Sequence, residues 1–269
     1  MYGLKFNNKH SYNDYGLLIK SINRPISEPK LITEEIESAD SAFDFSEINS
    51  DKRIKYKDKI ITVTFAIKER NSANLRVKAR EISRWLNCGE KQLTFDDESG
   101  MYYFAKLNNK IDLETQITVL QQFTVQFKCR PYAYSTVQSN EQIQFGQGLQ
   151  FGYNFMFDMT PTVFNINTPS TISLYNSGDY VKPVIIITGT ASTIKLSCGG
   201  KTLSYNSVLT TGQTLAIDCA KYRATVNSSN ANNAISGNYF EFENGSNILT
   251  VSGTNLNINL TIVFRYTYL

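Results

Sequence analysis

The sequence is poor in the residues that most enzymes and metal sites use. Its 269 residues include a single histidine, His10, close to the N-terminus. Activation of a serine or cysteine nucleophile by histidine, and metal sites built from several histidines, are therefore disfavoured. The four cysteines lie far apart in the chain, whereas a four-cysteine zinc site needs two close pairs. We therefore predict no catalytic residues, no cofactor and no metal, with reduced cysteines that mostly lie in the core of a protein folded in a cytosol.

Long apolar segments are also lacking. The longest aliphatic run is Val184–Ile187, far short of the roughly 18 residues that span a bilayer. Because residues 1–7 contain no apolar stretch typical of a secretory signal, we expect a protein that folds in a cytosol and has no membrane partner. The net charge of +3 is too small to predict a nucleic-acid partner.

Charge is distributed unevenly and divides the chain near residue 135. Residues 1–135 contain 21 Lys/Arg and 18 Asp/Glu, whereas residues 136–269 contain 6 of each and are rich in Asn, Ser, Thr and Gly. So sharp a change in composition indicates two modules, and we predict domains at 1–135 and 136–269.

The first half combines strand patterns with one helical pattern. Apolar residues alternate over 61–67 and over 123–129, which predicts two half-buried strands. Between them, Leu75, Ala79, Ile82 and Leu86 recur at helical spacing, and Gly89 suits the left-handed position after a helix end. Residues 93–95 and 101–107 are predicted to form a hairpin around the acidic turn Asp96–Glu98, whose carboxylates we expect to be solvated rather than to bind calcium. His10 is expected to lie at the surface before the first strand.

The second half shows one short strand pattern after another. Gly199-Gly200 stands between two alternating segments, which is typical of a two-residue hairpin turn. Residues 256–264 alternate between apolar and mostly polar side chains. Many short strands with Gly/Asn turns and no helical pattern predict a β-sandwich, so the fold class is mainly β with α+β character in the first half. The Phe- and Gly-rich stretch 145–165 has no assigned role.

A long polar segment interrupts the first half. Residues 28–52 show no clear periodicity, and a loop of this length in a compact domain is uncommon unless it has a function. We expect it to be either disordered or ordered by a partner.

Several local patterns, taken in order along the chain, resemble one known family. The patterns are Lys78–Leu86, Leu93–Asp97, Tyr102–Lys106, Phe123–Tyr132, Asn176–Gly178, Pro183–Gly189, Ile217–Cys219, Gly245–Asn247 and Arg265-Tyr266. Their order and spacing resemble the distal tail protein (Dit) family of siphophages that infect Gram-positive bacteria. The resemblance covers nearly the whole chain.

The resemblance implies both an architecture and a role. The first half would be a β-sandwich with one helix and a hairpin, of which six copies close into a ring, and the second half a galectin-like β-sandwich at the periphery. The ring would be assembled in the host cytoplasm and would lie at the tail tip of the virion. It would join the major tail (tube) protein to a tail-tip or tail-associated lysin hub protein and to receptor-binding or baseplate proteins. DNA would pass through the central channel without specific binding.

Two groups of residues are candidates for contacts between subunits. The long segment carries apolar side chains among its charges, and three arginines on the predicted helix recur at a spacing of four. The arginines also fit a solvated polar face, and Trp85, the only tryptophan, fits a core or interface anchor. The predicted interface residues are Ile36, Phe43, Phe45, Ile48, Arg76, Arg80 and Arg84.

Two other functional classes remain as alternatives. The first is a monomeric carbohydrate-binding adhesin that recognises the host cell surface through the C-terminal sandwich. The second is a wall hydrolase with paired carboxylates. Glu241 and Glu243 share one face of a predicted strand, which is more typical of a polar face than of a catalytic pair.

Overall fold

The computed structural model describes residues 2–37, 40–48, 52–67, 72–111, 121–141 and 161–269. The chain divides into two compact units, Met1–Ala133 with Leu269, and Tyr134–Tyr268. Most of the unassigned stretch 145–165 lies outside the described residues.

The first unit is built on one antiparallel sheet. Its elements are β1 (Leu4–Phe6), β2 (Lys9–His10), α1 (Ser11–Tyr15), β3 (Leu17–Asn23), β4 (Thr33–Glu34), β5 (Phe43–Asp44), β6 (Lys59–Ile67), α2 (Ser72–Leu86), β7 (Lys91–Phe95), β8 (Met101–Leu107) and β9 (Gln122–Cys129). The strands of the sheet follow the order β2-β1-β7-β8-β9-β6-β3, and β4 pairs only with β5 in a separate two-stranded sheet.

Periodic apolar patterns determine the core of this unit. Every second residue of β6 from Lys59 to Ile67 is buried, and β9 alternates in the same way. The helical periodicity is also reproduced, because Leu75, Ala79, Ile82 and Leu86 are all buried in α2. Gly89, just past the helix end, has a φ of 77°, a value that an L side chain rarely adopts.

The second unit contains two antiparallel sheets. Its elements are β10 (Ala133–Gln138), β11 (Val163–Ile166), β12 (Ser170–Asn176), β13 (Val184–Thr190), β14 (Thr193–Cys198), β15 (Lys201–Tyr205), β16 (Thr214–Asp218), β17 (Arg223–Val226), β18 (Ser229–Asn230), β19 (Ile235–Gly237), β20 (Gly245–Thr254), β21 (Asn257–Val263) and β22 (Arg265–Tyr268). One sheet has the order β11-β21-β13-β16-β17-β18 and the other β12-β20-β14-β15-β19, while β10 pairs with β22.

Alternation on both sheets produces the core of a sandwich. Ile185 and Ile187 of one sheet are fully buried, and so are Leu249 and Val251 of the other. The Gly199-Gly200 turn connects β14 to β15, and both glycines have positive φ, as a type I′ turn requires. The predicted fold class, mainly β with α-helix in the first half, is confirmed.

The environment of His10 differs from the sequence prediction. The residue does not precede the first strand but lies in β2, where its Nδ1 accepts the backbone N–H groups of Tyr12 and Asn13 at 3.1 Å and so caps α1. Its Nε2 contacts Asp96 at 3.1 Å, and that carboxylate also accepts the N–H of Gly3 at 2.7 Å. These contacts join residues that are distant in sequence, which local patterns could not indicate.

The acidic turn also differs from its prediction. Asp96–Glu98 forms a 3-10 turn between β7 and β8, and each carboxylate has a protein partner instead of being simply solvated. Asp97 accepts from the Arg24 guanidinium, and Glu98 accepts from the Tyr103 hydroxyl at 2.9 Å. Within the described ranges, no group of three or more His, Cys, Asp or Glu side chains could hold a metal ion.

All four cysteines are free, three of them buried and Cys88 half-buried. Among the helices that the structure describes, none is long and apolar enough to cross a membrane.

Candidate inter-subunit surface

The long polar segment forms a two-stranded ribbon rather than an unstructured loop. We define the ribbon as residues 28–57, of which 38, 39 and 49–51 lie outside the described residues. The two arms pair through β4 and β5 and again nearer the sheet, where the N–H of Lys30 donates to the carbonyl of Lys55 at 2.6 Å and that of Lys57 to Glu28 at 2.8 Å.

A serine holds the outer part of the ribbon together. Ser46 is buried, and its Oγ accepts the N–H of Ile32 on the opposite arm at 2.9 Å. The backbone N–H of Ser46 donates to Asp44 Oδ1 at 2.8 Å. Hydrogen bonds from the hydroxyl and the N–H of Ser46 lower the pKa of Asp44, because they stabilise its charged form. Polar contacts thus maintain a ribbon that has little apolar core of its own.

The base of the ribbon is attached to the sheet. Just before the ribbon, the Ser27 hydroxyl donates to the carbonyl of Pro131 at 2.7 Å. Tyr56 packs edge-to-face on Tyr132 with ring centroids 6.1 Å apart. These contacts fix the direction in which the ribbon leaves the first unit.

Along the ribbon, large apolar side chains face solvent. Ile36, Phe43 and Ile48 are 48%, 50% and 72% exposed, and Phe45 is half-buried. Two further ribbon residues that were not singled out from the sequence, Leu31 and Ile32, are at least half exposed, and so is Ile26 just before the ribbon. So dense a series of exposed apolar side chains is typical of a surface that another protein covers.

Helix α2 presents the second group of candidate residues. Trp85 anchors the helix: it is 4% exposed, and its Nε1–H donates to the carbonyl of Phe6 at 2.8 Å. Its ring stacks on Tyr15 with centroids 4.7 Å apart. The anchor fixes the rotation of the helix, and the residues on the opposite face, Arg76, Arg80 and Arg84, are therefore exposed.

Several charged side chains of the first unit are held near the sheet rather than in solvent. The Arg24 guanidinium lies over the ring of Phe95 with its Cζ 4.0 Å from the centroid. Lys59 is buried beneath Tyr103, and burial lowers the pKa of its ammonium. Burial likewise raises the pKa of Cys129 to about 12. These groups stabilise the sheet and offer no open site.

In the second unit, the two glutamates considered as a catalytic pair have different surroundings. Glu241 is largely buried and lies 3.5 Å from Lys201. The N–H of Glu243 donates to the side chain of Asn247 at 2.8 Å in a local turn. Both residues therefore serve local structure in this unit.

Comparisons with known proteins identify the class to which this architecture belongs. The sequence model of the phage tail protein RIFT-related domain matches residues 8–129, and that of the siphovirus-type tail component, C-terminal domain, matches residues 177–268. The two matches define the chain as a tail protein of long-tailed phages. Because both domains of the family are present in order, the chain belongs to the siphophage distal tail protein family. Its role is structural, in the distal part of the virion tail.

The fold is similar to that of a solved phage tail protein. The Dit protein of phage SPP1, described as a paradigm of the hub adsorption apparatus in phages that infect Gram-positive bacteria, is 14% identical and has a TM-score of 0.71, with 100% of each chain covered. A chain of the phage p2 baseplate in its activated conformation is 8% identical with a TM-score of 0.44, again with 100% of each chain covered. A comparison with curated proteins finds no match.

Proposed function

We propose that the protein is a ring-forming hub of the phage tail. Six copies close into a ring that connects the major tail tube protein to the tail-tip hub and to the receptor-binding or baseplate proteins. The ring is assembled in the cytoplasm of the host cell. The family assignment and the similarity to the SPP1 protein, described as part of a hub apparatus, support this role.

The observation that carries the proposal is the exposed apolar ribbon. A large apolar side chain gains about 1–3 kcal/mol when it moves from water into a packed interface, and Leu31, Phe43 and Ile48 on the ribbon are half exposed or more. A monomer gains nothing from presenting them to water. In a closed ring the same contact recurs at every interface, so a modest contact stabilises a durable assembly.

The two halves have different roles in this proposal. The first domain, residues 1–135, carries both the ribbon and α2 and forms the ring. The second domain, residues 136–269, forms a galectin-like sandwich at the periphery. The proposed role is geometric: the ring holds its partner proteins in register, and no side chain of the ring needs to take part in a chemical reaction.

DNA passes through the centre of the ring in this proposal. A channel that bound phosphates tightly would retard passage, since each phosphate contact contributes to salt-dependent affinity. The net charge of +3 on a chain of this length suits a conduit without specific binding.

Removing the ribbon tests the proposal. We expect light scattering to give the wild-type protein a molar mass of about six times the 30.4 kDa of one chain. Deleting residues 34–50 should reduce that mass toward a single chain. A milder variant, Ile36→Ser with Phe43→Ser and Ile48→Ser, should weaken assembly in the same direction.

The matched control replaces exposed apolar residues of the other unit. Val163→Ser with Ile248→Ser removes side chains that are 51% and 61% exposed but lie outside the ribbon. This variant should keep the wild-type mass. An unchanged mass after the ribbon deletion would refute the role of the ribbon.

Carbohydrate binding by the second sandwich is the alternative function. It is supported by Tyr222, whose ring is 56% exposed and lies beside Lys182, with the ammonium 2.7 Å from the hydroxyl. An exposed aromatic face next to hydrogen-bonding groups can stack on a sugar ring. If the protein is an adhesin, Tyr222→Ala should abolish its binding to purified host cell walls, whereas equal binding by the variant would reject this site.

A further inference from the structure

The ribbon and α2 carry opposite charges. No basic residue stands between Leu31 and Asp51, and the acidic residues in that interval are Glu34, Glu35, Glu37, Asp40, Asp44, Glu47 and Asp51. All of them that the structure describes are exposed. Helix α2, in contrast, carries Arg76, Lys78, Arg80 and Arg84 against the single acidic residue Glu81. The same domain thus presents one negative and one positive surface.

The acidic groups surround a hollow in the ribbon. A cavity of about 500 Å³ is lined by Glu35, Ile36, Glu37, Asp40, Ser41 and Ala42. Three carboxylates with an isoleucine among them match an arginine, because its guanidinium binds carboxylates in a two-pronged arrangement and its stem is apolar. The chemistry of this hollow therefore suits a long cationic side chain.

The positive surface has matching features. Arg80 and Arg84 are separated by about one helical turn, roughly 6 Å. Glu35 and Glu37 stand two residues apart on one arm of the ribbon, so two neighbouring cations can face two neighbouring carboxylates. Val77 lies on the same face of α2 and is 56% exposed. The helix therefore combines an apolar spot with cations, as the ribbon combines apolar residues with anions.

The topology separates these two surfaces on one chain. The ribbon leaves the sheet between the end of β3 at Asn23 and the start of β6 at Lys59. Helix α2 follows the opposite end of β6, after Ile67, and leads to β7. The hydrogen bonds that maintain the ribbon join its own two arms, as described above. Two different, complementary surfaces on one chain are what a head-to-tail ring needs.

We propose that the ribbon of one copy docks on the exposed face of α2 of the next copy, so that Arg80 and Arg84 approach the carboxylates of Glu35 and Glu37 while Ile36 and Phe43 cover Val77. This inference rests on the proposed ring and names the partner of its apolar ribbon. A second copy is the occupant because the charges of the two surfaces are complementary and both are present in every chain.

Charge reversal tests the pairing. The helix variant is Arg80→Glu with Arg84→Glu, and the ribbon variant is Glu35→Lys with Glu37→Lys. Each alone should raise the concentration at which the ring dissociates at least tenfold, as measured by light scattering over a dilution series. A chain that carries both reversals should recover most of the wild-type assembly, because opposite charges face each other again.

The control changes the net charge equally at another place. Lys195→Glu with Arg223→Glu reverses two exposed cations of the second unit and should leave the dissociation concentration unchanged. Circular dichroism verifies that every variant is folded. A helix variant that assembles like the wild type, or a combined variant without recovery, would overturn the pairing while the ring itself remains. A wild-type protein that is monomeric at every concentration would instead overturn the proposed function.

Discussion

The position of α2 depends on one buried side chain, which makes Trp85 the most informative residue to change. In Trp85→Phe the aromatic contacts with Tyr15 and Phe6 can partly persist, but the hydrogen bond from Nε1 to the Phe6 carbonyl is lost. Leaving that buried carbonyl without its partner costs about 1–3 kcal/mol. The smaller ring leaves unfilled space that adds about 1 kcal/mol. We expect a total destabilisation of about 2–4 kcal/mol.

A loss of this size is measurable in the first unit. For a domain of about this length, 1 kcal/mol corresponds to roughly 4 °C in Tm, so the expected decrease is about 8–16 °C. Because the variant lacks the only tryptophan, unfolding should be followed by calorimetry and circular dichroism rather than by indole fluorescence. A transition that belongs to the second unit should not move.

The control is Tyr2→Phe, which removes a polar atom from an aromatic side chain that is 56% exposed. Its stability should stay within about 0.5 kcal/mol of the wild type. If Trp85→Phe were equally neutral, the indole would not anchor α2, and the argument that its arginine face has a fixed orientation would fail.

Three further predictions concern local contacts. A Cβ at Gly178 would lie 2.4 Å from the carbonyl oxygen of Thr267. The variant Gly178→Ala should therefore destabilise the second unit by about 1–3 kcal/mol, as measured by urea unfolding. An unchanged free energy of unfolding would contradict this close approach. Burial raises the pKa of Cys129 and Cys219 to about 12, so both thiols stay neutral at pH 8. Iodoacetamide at that pH should therefore modify half-buried Cys88 before either of them, as followed by mass spectrometry of peptides. Modification of Cys129 or Cys219 before Cys88 would contradict their burial. Because the pKa of Asp44 is lowered in the folded state, its carboxylate stabilises the ribbon at pH values above the unfolded pKa of about 3.9. This stabilisation is lost as the pH falls through the lower pKa of the folded state. In NMR titration its midpoint should therefore lie below 3.9 and rise in Ser46→Ala, and a midpoint at or above 3.9 in the wild type would exclude the hydrogen bonds from Ser46.

Periodicity in the sequence was enough to locate the main elements. The spacing of Leu75, Ala79, Ile82 and Leu86 predicted the buried face of α2, because a helix repeats its contacts every three to four residues. Gly199-Gly200 predicted the β14–β15 hairpin, because few other residues adopt two successive positive φ angles. Both signals are local in the chain.

Contacts between distant residues could not be predicted in this way. The ribbon has no apolar periodicity, since it is held by backbone pairing and by the buried Ser46, which accepts a hydrogen bond from an arm 14 residues away. The contacts of His10 with Asp96 span 86 residues. Helix α1 has only five residues, too few to establish a helical pattern.

For the candidate interface, the sequence indicated which residues are apolar or basic but not which of them are exposed. Ile36, Phe43 and Ile48 face solvent, whereas Phe45 is half-buried and is less available to a neighbour. Leu31 and Ile32 were missed, because a segment without periodicity does not indicate which of its apolar side chains are exposed. Whether these surfaces meet between subunits stays a prediction.

Imaging of the purified full-length protein by negative-stain electron microscopy tests the central claim most directly. The account predicts closed rings with six-fold symmetry and an open centre. Isolated particles of the size of one chain, at every concentration examined, would contradict it.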